Sequence, residues 1–344
     1  MTKAAASGTR RYAGVLALAA LLSGCASHEP INPAYFNIEP GLLPNPDTTL
    51  SIPGLGPCTD NPDRSLRLNA GQPVHVLVHG CFGSSGQFRG LAQVLAFHGQ
   101  QTACFTYDDR ARLGQVAGDL QQAMQQLSAQ TRSPQITLIG HSQGALIARK
   151  SMTESSNAAL PGTPAGIRLV TISGPFAGIE AAQTCGKTWL YPLTLGFLPL
   201  SCYLVTGAKW ADITYSSPFI REPGALAPQV ASHLKIDTDE RGSCRREAGG
   251  RCVEGDDIFT LAEQRNAVVD ADVRTHRVQV NAGHVEIVGD KRVAPMKLIT
   301  VLQEQGVLRP TPAVRSPAFK RLLARVYQDS AEGRQSTLKT LSTP

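Results

Sequence analysis

The run Pro134-Gln-Ile-Thr-Leu-Ile-Gly-His-Ser-Gln-Gly-Ala-Leu-Ile-Ala-Arg149 carries an apolar, β-branched segment into a glycine-flanked serine and out into helical spacing. A serine on such a strand-to-helix turn is held in a strained backbone conformation that aims its hydroxyl outward. Gly140 and Gly144, two before and two after Ser142, lack the Cβ that would keep strand and helix apart. A hydroxyl attacks a carbonyl only when a base takes its proton, an acid orients that base and donors receive the oxyanion. His284, in Val278-Gln-Val-Asn-Ala-Gly-His-Val-Glu-Ile-Val288, falls between the last strand-like run and the last helical one, within an imidazole's reach of Ser142. The other histidines lie inside the serine turn (His141), before a glycine loop (His79) or within strands and helices (His75, His98, His233, His276), which suits structural roles. Five acids, Asp237, Asp239, Glu240, Asp256 and Asp257, follow the strand-like run 233–236 and compete for the orienting role. Val74-His-Val-Leu-Val-His-Gly-Cys-Phe-Gly-Ser-Ser85 ends a strand in a Gly/Ser loop that can turn N–H groups toward an oxyanion, with Cys81 and Gln143 as the expected donors. The phosphate-cradling patterns Gly-x-Gly-x-x-Gly and Gly-Lys-Ser/Thr are not found there.

Regular elements must bring these residues together. Strand-like runs at 74–78, 102–107, 136–139 and 167–172 alternate with helical runs at 87–98, 113–130 and 144–152. That alternation predicts a mostly parallel sheet covered on both faces. An insertion at 174–228 follows and contains Trp189-Leu-Tyr-Pro-Leu-Thr-Leu-Gly-Phe-Leu-Pro-Leu200. Pro192, Gly196 and Pro199 cut it far below the roughly 20 residues of a membrane span, so it reads as a cap over an apolar pocket or a buried loop. The pattern resumes with strands 230–236 and 276–280 and helix 293–305. Residues 316–327 form an amphipathic basic helix expected to pack on the domain or lie in solvent rather than bind lipid. The expected organisation is a signal peptide at 1–24, a tether at 25–64, a catalytic domain at 65–306 and a basic helix with a tail at 307–344.

In this order, His79-Gly80, Gly140-His-Ser-Gln-Gly144 and His284 resemble the α/β-hydrolase superfamily, in its lipase and esterase branch, over roughly residues 68–305. Ser173-Gly-Pro-Phe-Ala-Gly178 and Ser216-Ser-Pro-Phe-Ile220 resemble lipases as well. The resemblance implies the α/β-hydrolase fold with a cap or lid, and hydrolysis of carboxylic esters through an acyl-enzyme on Ser142 with no cofactor or metal. Gly255-Asp-Asp-Ile-Phe-Thr260 resembles the Asp-Gly-x-Val-Pro turn that carries the family's acid, which assigns Asp256 to that role. Asp257 stands where the family has a small residue, so Asp257 and Asp239 remain alternatives. Members also use this triad on thioesters and amides or transfer the acyl group to alcohols, and a noncatalytic envelope scaffold is the remaining reading.

Length and composition agree: 344 residues, 42% of them hydrophobic, suffice for one large α/β core. Net charge is +6, of which Lys3, Arg10 and Arg11 supply three ahead of the fold; the remainder is too mild for nucleic-acid binding. A basic start, the apolar run 15–22 and Leu22-Ser-Gly-Cys25 resemble a bacterial lipoprotein signal, which implies lipidation of Cys25 after cleavage before it. Ala26 in place of an aspartate points to an outer-membrane anchor facing the periplasm, with acyl lipids or esters of the envelope as substrates and no protein partner indicated. Seven cysteines then remain in a compartment that permits disulfides. Cys244 with Cys252 and Cys185 with Cys202 are the expected pairs; one of Cys58, Cys81 and Cys104 is then left free, with the choice open and Cys81 a candidate for a bond to Cys104 or Cys58. Metal-ligand spacings are lacking.

Overall fold

The computed structural model describes residues 38–154, 166–183, 200, 203, 207–289 and 293–327. Its strands are β1 (Thr48–Leu50), β2 (Leu55–Gly56), β3 (Leu66–Leu68), β4 (Val74–Val78), β5 (Gln101–Phe105), β6 (Ile136–His141), β7 (Ile167–Ile172), β8 (Val230–Asp239), β9 (Cys244–Ala248), β10 (Arg251–Gly255) and β11 (Thr275–Asn281). The helices are α1 (Arg89–Phe97), α2 (Leu113–Thr131), α3 (Gln143–Ser151), α4 (Pro218–Arg221), α5 (Leu261–Gln264), α6 (Ala267–Asp270), α7 (Met296–Glu304) and α8 (Ser316–Val326).

Seven strands form one sheet in the order β11-β8-β7-β6-β4-β5-β2, parallel throughout except where β2 runs antiparallel to β5. All residues of β4 and β6 are buried, because helices cover both faces and neither face can be polar. One apolar cluster joins α2 and α3 to one face through Leu113, Leu120, Leu127 and Ile147. The other joins α1, α7 and α8 through Leu91, Leu95, Leu298, Leu302, Phe319 and Leu322. The basic helix α8 therefore belongs to the domain, its apolar stripe against Phe97 of α1. This is the α/β-hydrolase fold.

One expectation needs correction. The segment 38–64 is not a tether: Leu50, Ile52 and Leu55 are buried in the core, β1 pairs with β3, and β2 extends the main sheet. Of the three cysteines whose pairing the sequence leaves open, Cys58 and Cys104 form the disulfide, with Cα atoms 4.9 Å apart, and Cys81 is free. The expected pair Cys244 with Cys252 is formed and closes the β9–β10 hairpin. Residues 1–37, with Cys25, the pair Cys185 and Cys202, and most of 189–200 lie outside the described residues. Among the described residues no helix is long and apolar enough to cross a membrane.

The crossing of β4, β6 and α3 has no room for a side chain. A Cβ on Gly144 would come within 3.0 Å of the Val78 and His79 carbonyl oxygens. Gly144→Ala is expected to cost about 3 kcal/mol or more by overpacking against backbone, whereas Gly118→Ala, in open space on α2, should gain up to about 1 kcal/mol. Denaturant midpoints of the two variants check the contrast.

Candidate active site

Ser142 caps α3 directly after β6, with φ 57° and ψ −126°. L-residues rarely adopt this conformation. Its N–H is held by the Ile172 carbonyl at 2.9 Å, and a Cβ on Gly140 would meet the Gly144 carbonyl. Backbone crowding on both sides therefore fixes the serine at the carboxyl edge of the sheet.

His284 follows β11 at the same edge. Its ring lies between His141 and Phe259, each with its centroid 4.7 Å away, and its carbonyl accepts from His141 Nε2 at 2.9 Å. Nδ1 of His284 is 2.9 Å from Glu240 Oε1 and 2.9 Å from Ser173 Oγ. Facing a carboxylate, Nδ1 carries the proton, so Nε2 keeps the basic lone pair.

Glu240, one residue beyond β8, is held from every side. Its Oε1 accepts from Ser173 Oγ at 2.7 Å and Thr238 Oγ1 at 2.8 Å, and its Oε2 accepts from the N–H groups of Ile258 and Phe259 at 2.7 Å each. Burial pushes the Glu240 carboxyl up, but the hydrogen bond and charge of His284, with the donors at Phe259 and Ser173, hold it below the usual carboxylate range. Ser173 is wholly buried with φ 46°, a second strained position one residue past its strand. It faces the same nitrogen of His284 as Glu240 does and so stands on the acid's side of the imidazole.

The acid position corrects the sequence assignment. Asp256 is spent on backbone: its carboxylate accepts the N–H of Val285 at 2.9 Å and of Glu286 at 2.9 Å, and its carbonyl accepts that of His284 at 2.9 Å. It shapes the turn that carries His284 without touching the ring nitrogens. Asp239 is engaged by Arg241 at the surface, and Asp257 is exposed. Glu240 stood among the acids after β8, and the signal that singles it out is position: Ser142, Ser173 and Glu240 each come one residue past a strand of the parallel sheet, the edge where such folds gather function. His233 is buried between Thr171 Oγ1 at 2.8 Å and Thr275 Oγ1 at 3.0 Å, and burial drives it down to about 3.

The loop after β4 presses on Ser142, since a Cβ on Gly80 would lie 2.9 Å from Ser142 Cβ. Tyr107 donates to the His79 carbonyl at 2.7 Å and stacks on the His79 ring at 4.3 Å. Among the described residues, the N–H groups of Cys81 and Gln143 have no acceptor, as donors reserved for an oxyanion require. Among those residues, no group of His, Cys, Asp and Glu could hold a metal ion.

A family model, palmitoyl protein thioesterase, matches residues 73–221, from β4 through α4. No curated protein sequence matches the chain. Among solved structures, the chain is similar to the Bacillus licheniformis lipase BlEst2 in its propeptide form at 13% identity and a TM-score of 0.50, over 78% of this chain and 55% of that one. The mature form of that lipase gives 13% identity and 0.46 over 76% and 99%. The Pyrococcus furiosus esterase Pf2001 gives 17% and 0.38 over 68% and 80%. Sheet order and the strained serine turn give the chain the α/β-hydrolase fold, and its residues 73–221 are similar to the palmitoyl protein thioesterase family.

Proposed function

We propose that the chain hydrolyses acyl esters or thioesters through an acyl-enzyme on Ser142, with His284 as base and Glu240 as the acid that orients it. The observation that carries this reading is the 2.9 Å contact between Glu240 and His284 Nδ1 at the sheet edge that also holds strained Ser142. His284 Nε2 takes the Ser142 proton as Oγ adds to the acyl carbon, and the imidazolium is stabilised by Glu240. His141 does not compete for that charge. Burial, reinforced by His284, pushes its ring far below the ordinary histidine range, so it stays neutral. The oxyanion is received by the N–H groups of Cys81 and Gln143, and His284 then protonates the leaving alcohol or thiol and activates water to release the acid.

A long acyl chain is the substrate class best supported. The family match spans the loop and the serine turn, and Phe82 on that loop and Ile258 beside Phe259 are exposed apolar side chains next to the machinery. We also propose that Cys25 is lipidated and tethers the enzyme to the cell envelope, a reading supported by Leu22-Ser-Gly-Cys25. A mass for the N-terminal peptide from the membrane fraction that includes acyl chains on Cys25 is expected; cleavage elsewhere with an unmodified thiol overturns it.

Nitrophenyl esters from acetyl to palmitoyl and a palmitoyl thioester test the function. Activity is expected to rise with chain length, to vanish in Ser142→Ala by about 10⁶-fold and to fall about 10³- to 10⁴-fold in Glu240→Gln. Asp256→Asn should cost about tenfold or less, because Asn keeps one backbone acceptor; a loss equal to that of Glu240→Gln would return the acid role to Asp256. Acid titration of stability gives an independent check on Glu240. Its folded carboxyl is depressed, so its contribution is complete above the unfolded value and fades as pH falls through the folded one. The stability gap between wild type and Glu240→Gln, read by denaturant unfolding, should hold above about pH 5 and shrink below about pH 4.

A further inference from the structure

Lys209 belongs to the insertion after β7, yet its side chain is buried, 1% exposed, beneath the oxyanion loop. Its Nζ is 2.6 Å from Cys81 Sγ, 3.2 Å from Asp109 Oδ2 and 5.2 Å from the centroid of the Phe82 ring. Asp109 Oδ2 also accepts the Phe82 N–H at 2.7 Å, and the Asp109 carbonyl accepts from Gln143 Nε2 at 3.3 Å. One ion pair therefore touches the residues at both expected oxyanion donors. Phe82 has φ 56° and a side chain 79% exposed, so neither backbone preference nor side-chain burial holds it there. The Lys209 segment is itself seated on the turn that holds Asp109: Ala208 N–H donates to the Arg110 carbonyl at 2.7 Å, and Gly207, at φ 77°, leaves no space for a Cβ against Arg110.

Resting on the acyl-enzyme reading above, we infer that Lys209 and Asp109 are positioning residues, a buried clamp through which the insertion, by holding the Cys81 side chain and the Phe82 N–H, sets the Gly80–Cys81 peptide and its N–H against Ser142. An ammonium taken out of water is costly, and a buried pair gains little stability over apolar residues of the same volume. Such a pair is explained by geometry it enforces. Burial keeps Cys81 protonated, its thiol pushed up despite Lys209, so Asp109 is the counter-charge and Cys81 Sγ accepts from Nζ. When the clamp opens, Cys81 N–H no longer faces the developing oxyanion; binding of the acyl chain is untouched.

The test compares Lys209→Met, Asp109→Asn, Asp109→Ala and the double variant Lys209→Met/Asp109→Asn with wild type. It reads kcat and KM on a nitrophenyl acyl ester and the rate of Ser142 labelling by a fluorophosphonate, which needs the oxyanion donors but no acyl substrate. Lys209→Met should lower kcat and labelling at least about tenfold, part of the loss known for removing an oxyanion donor, with KM within about threefold. Asp109→Asn, which keeps an oxygen for the Phe82 N–H, should retain more activity than Asp109→Ala. The double variant leaves no unpaired buried charge and so reports even if single variants fail to fold. A kcat and labelling rate restored to wild type in the double variant, or losses that follow melting temperature with KM rising in step, would overturn the clamp. Wild type that labels but hydrolyses no acyl ester would remove the substrate reading while the labelling rates still decide the clamp.

Discussion

The approach of α3 to β4 and β6 governs this molecule. Gly140 and Gly144 let backbone meet backbone there, and the chain between them must turn so sharply that Ser142 takes a φ of 57°. Once that turn is made, the serine can lie only at the carboxyl edge of the sheet, with the β4 loop pressed on it from one side and His141 tucked under His284 on the other. Strain at the serine is maintained by the buried sheet around it, since relaxing it would pull α3 off the apolar face it covers.

A second dependence runs through charge. Glu240 stays ionised in a dry setting because a histidine, two hydroxyls and two backbone N–H groups all point at it. Three strands supply that cage: Ser173 past β7, Thr238 and Glu240 at the end of β8, and His284 past β11. The parallel register of β7, β8 and β11 brings these ends level, so strand pairing far below the edge decides whether the imidazole meets its acid. A fully paired polar network of this kind is rigid, and one lost partner leaves the rest exposed to the cost of burial.

Much of this was legible in the chain. The strands β4 and β7 have the bounds their apolar runs suggest, and Ser142 and His284 stand where their local patterns put them. Glu240 was hidden among neighbouring acids because a one-dimensional pattern cannot say which carboxylate faces a ring supplied 44 residues later; the Asp256 motif has the family's appearance but serves the loop backbone. Residues 48–56 read as tether in the sequence because strands of two or three residues are too short to show a period. The partner of Cys58 was set by the antiparallel pairing of β2 with β5, which no spacing announces.

That disulfide has a consequence beyond holding an edge strand. Just past Cys58, Asp60 accepts the Gly86 N–H at 3.0 Å and Arg64 reaches Ser85 Oγ at 3.0 Å, so the segment it anchors forms the outer wall of the loop facing Ser142. The crosslink spans 46 residues and withdraws on the order of 4 kcal/mol of unfolded-chain freedom. The geometry of the loop facing Ser142 is thereby tied to the oxidation state of two cysteines that lie outside the site: a reduced chain lacks the brace behind that loop.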